Sequence, residues 1–93
     1  MANEVRFKST ALQQLNALPR SLQESAADIF DLLETDDLPP GAVVLRGRPD
    51  LRRIYLGNSY RIIYSVPAKR VVLILRIGQR ATVYAHLRKL KSQ

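Results

Sequence analysis

The sequence predicts an α+β fold: a small, twisted, mostly antiparallel sheet with an N-terminal helical hairpin on one side and a short C-terminal helix. Three observations predict it. Apolar residues recur at helical spacing through the first 40 positions, the period shortens to two after Gly41, and turn-forming residues cut the second part into short segments. Ninety-three residues, 46% hydrophobic and 25% charged, suit one core, so a single domain over residues 1–93 is expected.

In chain order, residues 3–7 alternate weakly and predict a short strand. Ser9 or Thr10 can cap a helix whose face carries Ala11, Leu12, Leu15 and Leu18, and Pro19 interrupts it. Ser21-Leu-Gln-Glu24 has the capping-box pattern, and Leu22, Ala26, Ile29, Phe30 and Leu33 then form one helix face. Asp36 through Gly41 ends that helix. Ala42–Leu45 is a short apolar run. Leu51–Leu56 and Tyr60–Val66 flank Gly57-Asn58-Ser59, a hairpin turn, and Pro67-Ala68-Lys69-Arg70 predicts a second turn. Val71–Ile77 reads as a central strand that Gly78 breaks, and Thr82–Leu90 as a terminal helix.

Fifteen basic and eight acidic residues give a net charge of +7. The excess is segregated. Residues 1–40 carry −4, whereas residues 41–93 carry +11 with nine arginines and Asp50 as the sole acid. A half-chain of that charge calls for a polyanion, and arginine favours bidentate contacts with phosphate. The absence of cysteine excludes disulfides, thiolate metal sites and a cysteine nucleophile. No apolar run reaches the ~20 residues of a membrane span, and no signal-peptide pattern opens the chain, so a cytoplasmic protein without membrane partners is expected.

Period two sorts the strand residues by face. If Ile54, Leu56, Tyr60, Ile62 and Tyr64 meet the helices, then Arg53, Tyr55 and Arg61 emerge together on the open face. Arg76, inside an apolar strand, either joins them or reaches an acid beneath the sheet.

Leu45-Arg-Gly, Tyr60-Arg-Ile-Ile-Tyr-Ser-Val and Leu75-Arg-Ile-Gly-Gln-Arg-Ala-Thr-Val-Tyr84, in this order and at this length, closely resemble the RelE-type toxins of bacterial toxin–antitoxin pairs. The resemblance covers nearly the whole chain. It implies the fold described above and a toxin that enters the ribosomal decoding site and cuts messenger RNA. Cutting would proceed by attack of the ribose 2′-OH on the adjacent phosphate, leaving a 2′,3′-cyclic phosphate, with no metal or other cofactor. It implies a cognate antitoxin as partner.

The resemblance assigns Arg61 to gripping the scissile phosphate and Arg80 to stabilising transition-state charge. It assigns Tyr84 to stacking on a base or exchanging a proton; packing is the alternative for that ring. The basic pair of many members falls at Arg53 and Tyr55. Arg53 keeps the charge but cannot serve as a base, and Tyr55 removes a charge while offering a ring for stacking or a hydroxyl for hydrogen bonding. His86 is the only histidine. Arg46 and Arg48 are expected as general phosphate contacts, and Arg88, Lys89 and Lys91 as a basic tail facing ribosomal RNA, the antitoxin or solvent. Two further functions fit the same pattern: a ParE-like inhibitor of DNA gyrase, and a catalytically weakened toxin that only binds RNA or the ribosome.

Overall fold

The computed structural model describes residues 2–87. In chain order the elements are β1 (Glu4–Phe7), α1 (Ser9–Asn16), α2 (Arg20–Thr35), β2 (Val43–Leu45), β3 (Arg48–Leu56), β4 (Tyr60–Ala68), β5 (Val71–Gln79) and α3 (Arg80–Leu87). The strands form one five-stranded sheet in the order β1-β5-β4-β3-β2. All neighbours are antiparallel except β1 and β5, which pair in parallel.

The helical hairpin starts differently from the capping expectation. Lys8 and Pro19 precede α1 and α2, and neither helix has a side-chain cap. Pro19 explains the second case. Its carbonyl accepts from the N–H groups of Leu22 and Gln23, each at 3.0 Å, so the helix is already under way at Ser21. Ser21 therefore caps nothing. Gln23 instead works across the hairpin, donating from Nε2 to the carbonyls of Leu15 and Asn16 at 3.1 Å, in the last turn of α1. The end of α2 is closed by Asn3, which donates its N–H to the Glu34 carbonyl (2.7 Å) and its Nδ2 to the Leu33 carbonyl (2.9 Å).

The main core lies between the hairpin and one face of the sheet. Ala11, Leu18, Ala26 and Leu33 meet Ile54, Leu56, Ile62, Tyr64, Val72, Ile74 and Ile77. Phe7 packs edge-on against Phe30, with ring centroids 4.9 Å apart. The loop after α2 is tied to this face at the Asp37 carbonyl, which accepts from the Tyr64 hydroxyl (2.9 Å) and from Arg52 Nη1 (2.7 Å). A smaller cluster of Leu51, Ile63, Leu75 and Val83 covers part of the opposite face, with α3 supplying Val83. Apolar packing on both faces explains why β5 is apolar almost throughout.

Two expected breaks are strand. β4 continues through Pro67 to Ala68, with an irregular register between Ser65 and Ala68, and the turn narrows to Lys69-Arg70. Arg70 takes the left-handed conformation, φ 63°. Gly78 does not break β5. It pairs with Arg61, and the strand runs on to Gln79. A Cβ at Gly78 would stand 3.1 Å from Val83 Cγ2, so this glycine lets α3 fold back tightly onto the sheet. The terminal helix begins at Arg80, two residues earlier than expected; its predicted end at Leu90 lies outside the described residues.

Candidate functional site

Strand register builds the site. β3 and β4 set Tyr55 opposite Arg61 and Arg53 opposite Ile63, while β4 and β5 set Arg61 opposite Gly78 and Ile63 opposite Arg76. Cross-strand partners share a face. Two rows therefore lie on the face away from the hairpin: Tyr55–Arg61–Gly78, and beside it Arg53–Ile63–Arg76. The face assignment expected from periodicity holds for Arg53, Tyr55 and Arg61.

Arg76 reaches this face through a β-bulge. Ile63 pairs with Arg76 but Tyr64 pairs with Ile74, which leaves Leu75 as the extra residue. Strict alternation from the core residues Val72 and Ile74 would send position 76 to the helices. The bulge resets the phase and places Leu75 and Arg76 on the open side. Of the two destinations open for Arg76, the site is the one observed. Its Nη1 donates to the Leu75 carbonyl at 2.7 Å, and it contacts no acid among the described residues.

Arg61 is the one buried charged side chain among the described residues, 9% exposed. Its Nη1 donates to the Tyr60 carbonyl at 3.2 Å. The guanidinium carbons of Arg61 and Arg53 lie 4.2 and 4.1 Å from the centroid of the Tyr55 ring. One aromatic ring thus holds two cations, each attracted to its π density. Arg53 Nη1 and Arg76 Nε are buried with no hydrogen-bond partner. Buried donors without acceptors are costly and rare in native proteins, and two on one cationic face mark it as suited to an anion.

Beside Arg61, an open depression of about 450 Å³ is lined by Asn58, Ser59, Arg61, Gln79, Arg80 and Ala81. The Arg80 N–H donates to the Ser59 carbonyl at 3.3 Å, joining the start of α3 to the β3–β4 turn. The structure thus brings Arg61 and Arg80 into one depression and Arg53, Tyr55 and Arg76 onto the adjoining sheet. Asn58, Ser59 and Gln79 were missed as site residues. The first two read simply as turn formers, and the signal available was their position beside the Gly78-Gln79-Arg80 segment.

Other candidates lie elsewhere. Arg46 is exposed between β2 and β3, and Arg48 opens β3, at the opposite end of that nine-residue strand from the depression. Arg48 makes a two-pronged pair with Asp50, Nε to Oδ1 at 3.1 Å and Nη2 to Oδ2 at 3.0 Å, which holds the Asp50 carboxyl below its usual range. Tyr84 and His86 lie on α3, Tyr84 four residues after Arg80. Arg88, Lys89 and Lys91 fall outside the described residues. Among the described residues no group of three or more His, Cys, Asp or Glu side chains is placed to hold a metal ion, and no helix is long and apolar enough to cross a membrane.

Residues 5–84 match a family described as ParE toxin of type II toxin-antitoxin system, parDE. The chain belongs to the RelE/ParE superfamily of type II toxins. Solved RelE structures agree with this RelE/ParE toxin in fold. The archaeal RelE of the Pyrococcus horikoshii OT3 RelE-RelB complex is 31% identical, with 86% of this chain and 97% of that chain covered and a TM-score of 0.74. An arginine-to-alanine double mutant of Escherichia coli RelE in the free state is 26% identical, covering 98% and 100%, with a TM-score of 0.79. The Mycobacterium tuberculosis RelBE2 toxin-antitoxin complex matches at 26% identity, 86% and 100% coverage and a TM-score of 0.72. No curated protein matches the sequence.

Proposed function

We propose that this toxin is a ribosome-dependent mRNA endonuclease that inhibits translation. The observation that carries the proposal is the arginine-lined open face, where Arg53 Nη1 and Arg76 Nε are buried without acceptors and no salt bridge joins Arg53, Arg61, Arg76 or Arg80 to an acid among the described residues. In this reading the ribose 2′-OH attacks the adjacent phosphate, the 5′ oxygen leaves, and a 2′,3′-cyclic phosphate remains. Arg61, already desolvated, grips the non-bridging oxygens, and Arg80 across the depression stabilises the charge that grows on the phosphorane. These cations do the electrostatic work of a metal, so the reaction is metal-independent. Tyr84 on α3 is the candidate for proton exchange or base stacking, with His86 as the alternative proton carrier.

Primer extension on a translated message tests the proposal. Wild-type protein cuts within ribosome-bound codons, and Arg61→Ala and Arg80→Ala each abolish cutting. A wild-type protein that binds ribosomes but leaves every message intact is instead the weakened RNA-binding toxin.

The ParE description of the matching family favours a second reading, an inhibitor of DNA gyrase. Supercoiling inhibition at low protein with translation untouched would establish it over the first. Under either reading the partner is a cognate antitoxin and the location cytoplasmic. RelB in the similar complexes supports the antitoxin, and the +11 half of the chain suits an acidic segment of it.

A further inference from the structure

We propose that Arg53 and Arg76 form a second phosphate subsite, separate from the Arg61–Arg80 depression, that holds the backbone phosphate one nucleotide away from the scissile one. The inference rests on the endonuclease reading and assigns Arg53 to holding the substrate rather than to the reaction itself.

Three observations converge on it. First, Arg53 and Arg76 flank Ile63 in one row of the sheet. Their strands stand two spacings apart, about 10 Å, a gap within the reach of two arginine side chains working on one phosphate from either side. Second, each carries a buried nitrogen without a partner, Arg53 Nη1 and Arg76 Nε. A structural arginine would have these donors answered by a carboxylate or carbonyl. Here the fold supplies none, and phosphate offers several oxygens to the rest of each planar fork. Third, Arg76 is on this face only because of the bulge at Leu75, a local irregularity of the kind that re-aims side chains at functional sites.

The spacing identifies which phosphate. The Arg53–Ile63–Arg76 row lies two residues along β4 from the Tyr55–Arg61–Gly78 row, and two residues of antiparallel strand span about 6.8 Å. That is the scale separating successive phosphates of an extended single strand. A strand laid along β4 with its scissile phosphate at Arg61 therefore brings a neighbouring phosphate over Ile63. Tyr55, stacked with both Arg53 and Arg61, couples the two positions.

The test pairs protein variants with a neutralised phosphate. Messages carry a single methylphosphonate linkage on the 5′ or the 3′ side of the cleaved bond, and cutting is followed on programmed ribosomes. With wild-type toxin, one of the two neutral linkages lowers kcat/KM by about ten- to a hundredfold, the effect of losing a charge-assisted hydrogen bond. Arg53→Gln and Arg76→Gln each lower the rate on the normal message by a similar factor but lose little more on the neutralised one. Equal further losses on both messages would show that neither arginine meets that phosphate and would overturn the subsite while leaving the endonuclease reading standing. A wild-type protein that cuts no message removes the reading and the subsite together. Thermal melting supplies a check on folding. Arg76→Gln removes the unsatisfied Nε donor together with the Nη1 bond to the Leu75 carbonyl, so its melting temperature changes little; a large fall would make Arg76 structural and overturn the assignment.

Discussion

The resemblance to RelE-type toxins leads one to expect a second cation at Tyr55, and the structure shows an aromatic contact there instead. Its ring lies against both Arg53 and Arg61 and keeps two like charges close together on an exposed sheet. Each such contact is worth about 0.5–1 kcal/mol at an exposed site and more where water is excluded. If the proposed endonuclease activity holds, Tyr55→Phe keeps the ring and is expected to retain most cutting, whereas Tyr55→Ala frees both guanidiniums and lowers kcat/KM several-fold to tenfold. Kinetics on ribosome-bound message separate the two variants; an equal loss in both would shift the role to the phenol hydroxyl.

At the scale of elements, the decisive join is between β5 and α3. Gly78 lies opposite Arg61, and its missing Cβ leaves room for Val83, which anchors α3 on the open face. Arg80 enters the depression because α3 starts immediately after the strand. A methyl group 3.1 Å from Val83 Cγ2 is a few tenths of an ångström too close, so Val83 must give way. Gly78→Ala is therefore expected to destabilise the protein by about 1 kcal/mol in urea denaturation, within the usual range for overpacking, and to impair the proposed cutting. Val83→Ala in the same chain relieves the crowding, so the two substitutions couple in a double-mutant cycle. Strict additivity would mean that the glycine does not set the helix position.

For the whole molecule, the Asp37 carbonyl joins the hairpin to the sheet through Tyr64 and Arg52. Burial is the main cause that pushes the Tyr64 phenol above its usual value. The folded state then keeps a proton that the unfolded state has released. This contribution to stability is complete below the unfolded phenol value of about 10 and falls as pH rises through it toward the folded one. Melting temperature measured from pH 8 to 11 should fall less steeply for Tyr64→Phe than for wild type. At neutral pH the variant loses about 1 kcal/mol, one hydrogen bond, because Arg52 still donates to the same carbonyl.

The hairpin, the order of the strands along the chain, the buried face of β3 and β4 and the segregation of charge were all legible in the residues. Each rests on short-range rules: helical spacing from Leu22 to Leu33, alternation from Ile54 to Leu56 and from Tyr60 to Tyr64, and glycine at the Gly57 turn. Capping was misread at Ser21 because Pro19, two residues earlier, already accepts the helix donors. Gly78 was misread as a break because its role depends on Val83, brought back from the next element. The place of Arg76 had to await the fold, since a bulge arises from pairing two strands and leaves no mark in the period of one. The same holds for the stack of Arg53, Tyr55 and Arg61 and for the depression shared by Asn58, Ser59, Gln79 and Arg80. The cations needed to meet a polyanion are written in the chain; which of them converge is decided by register, bulge and helix return, all of which depend on contacts between residues distant in sequence.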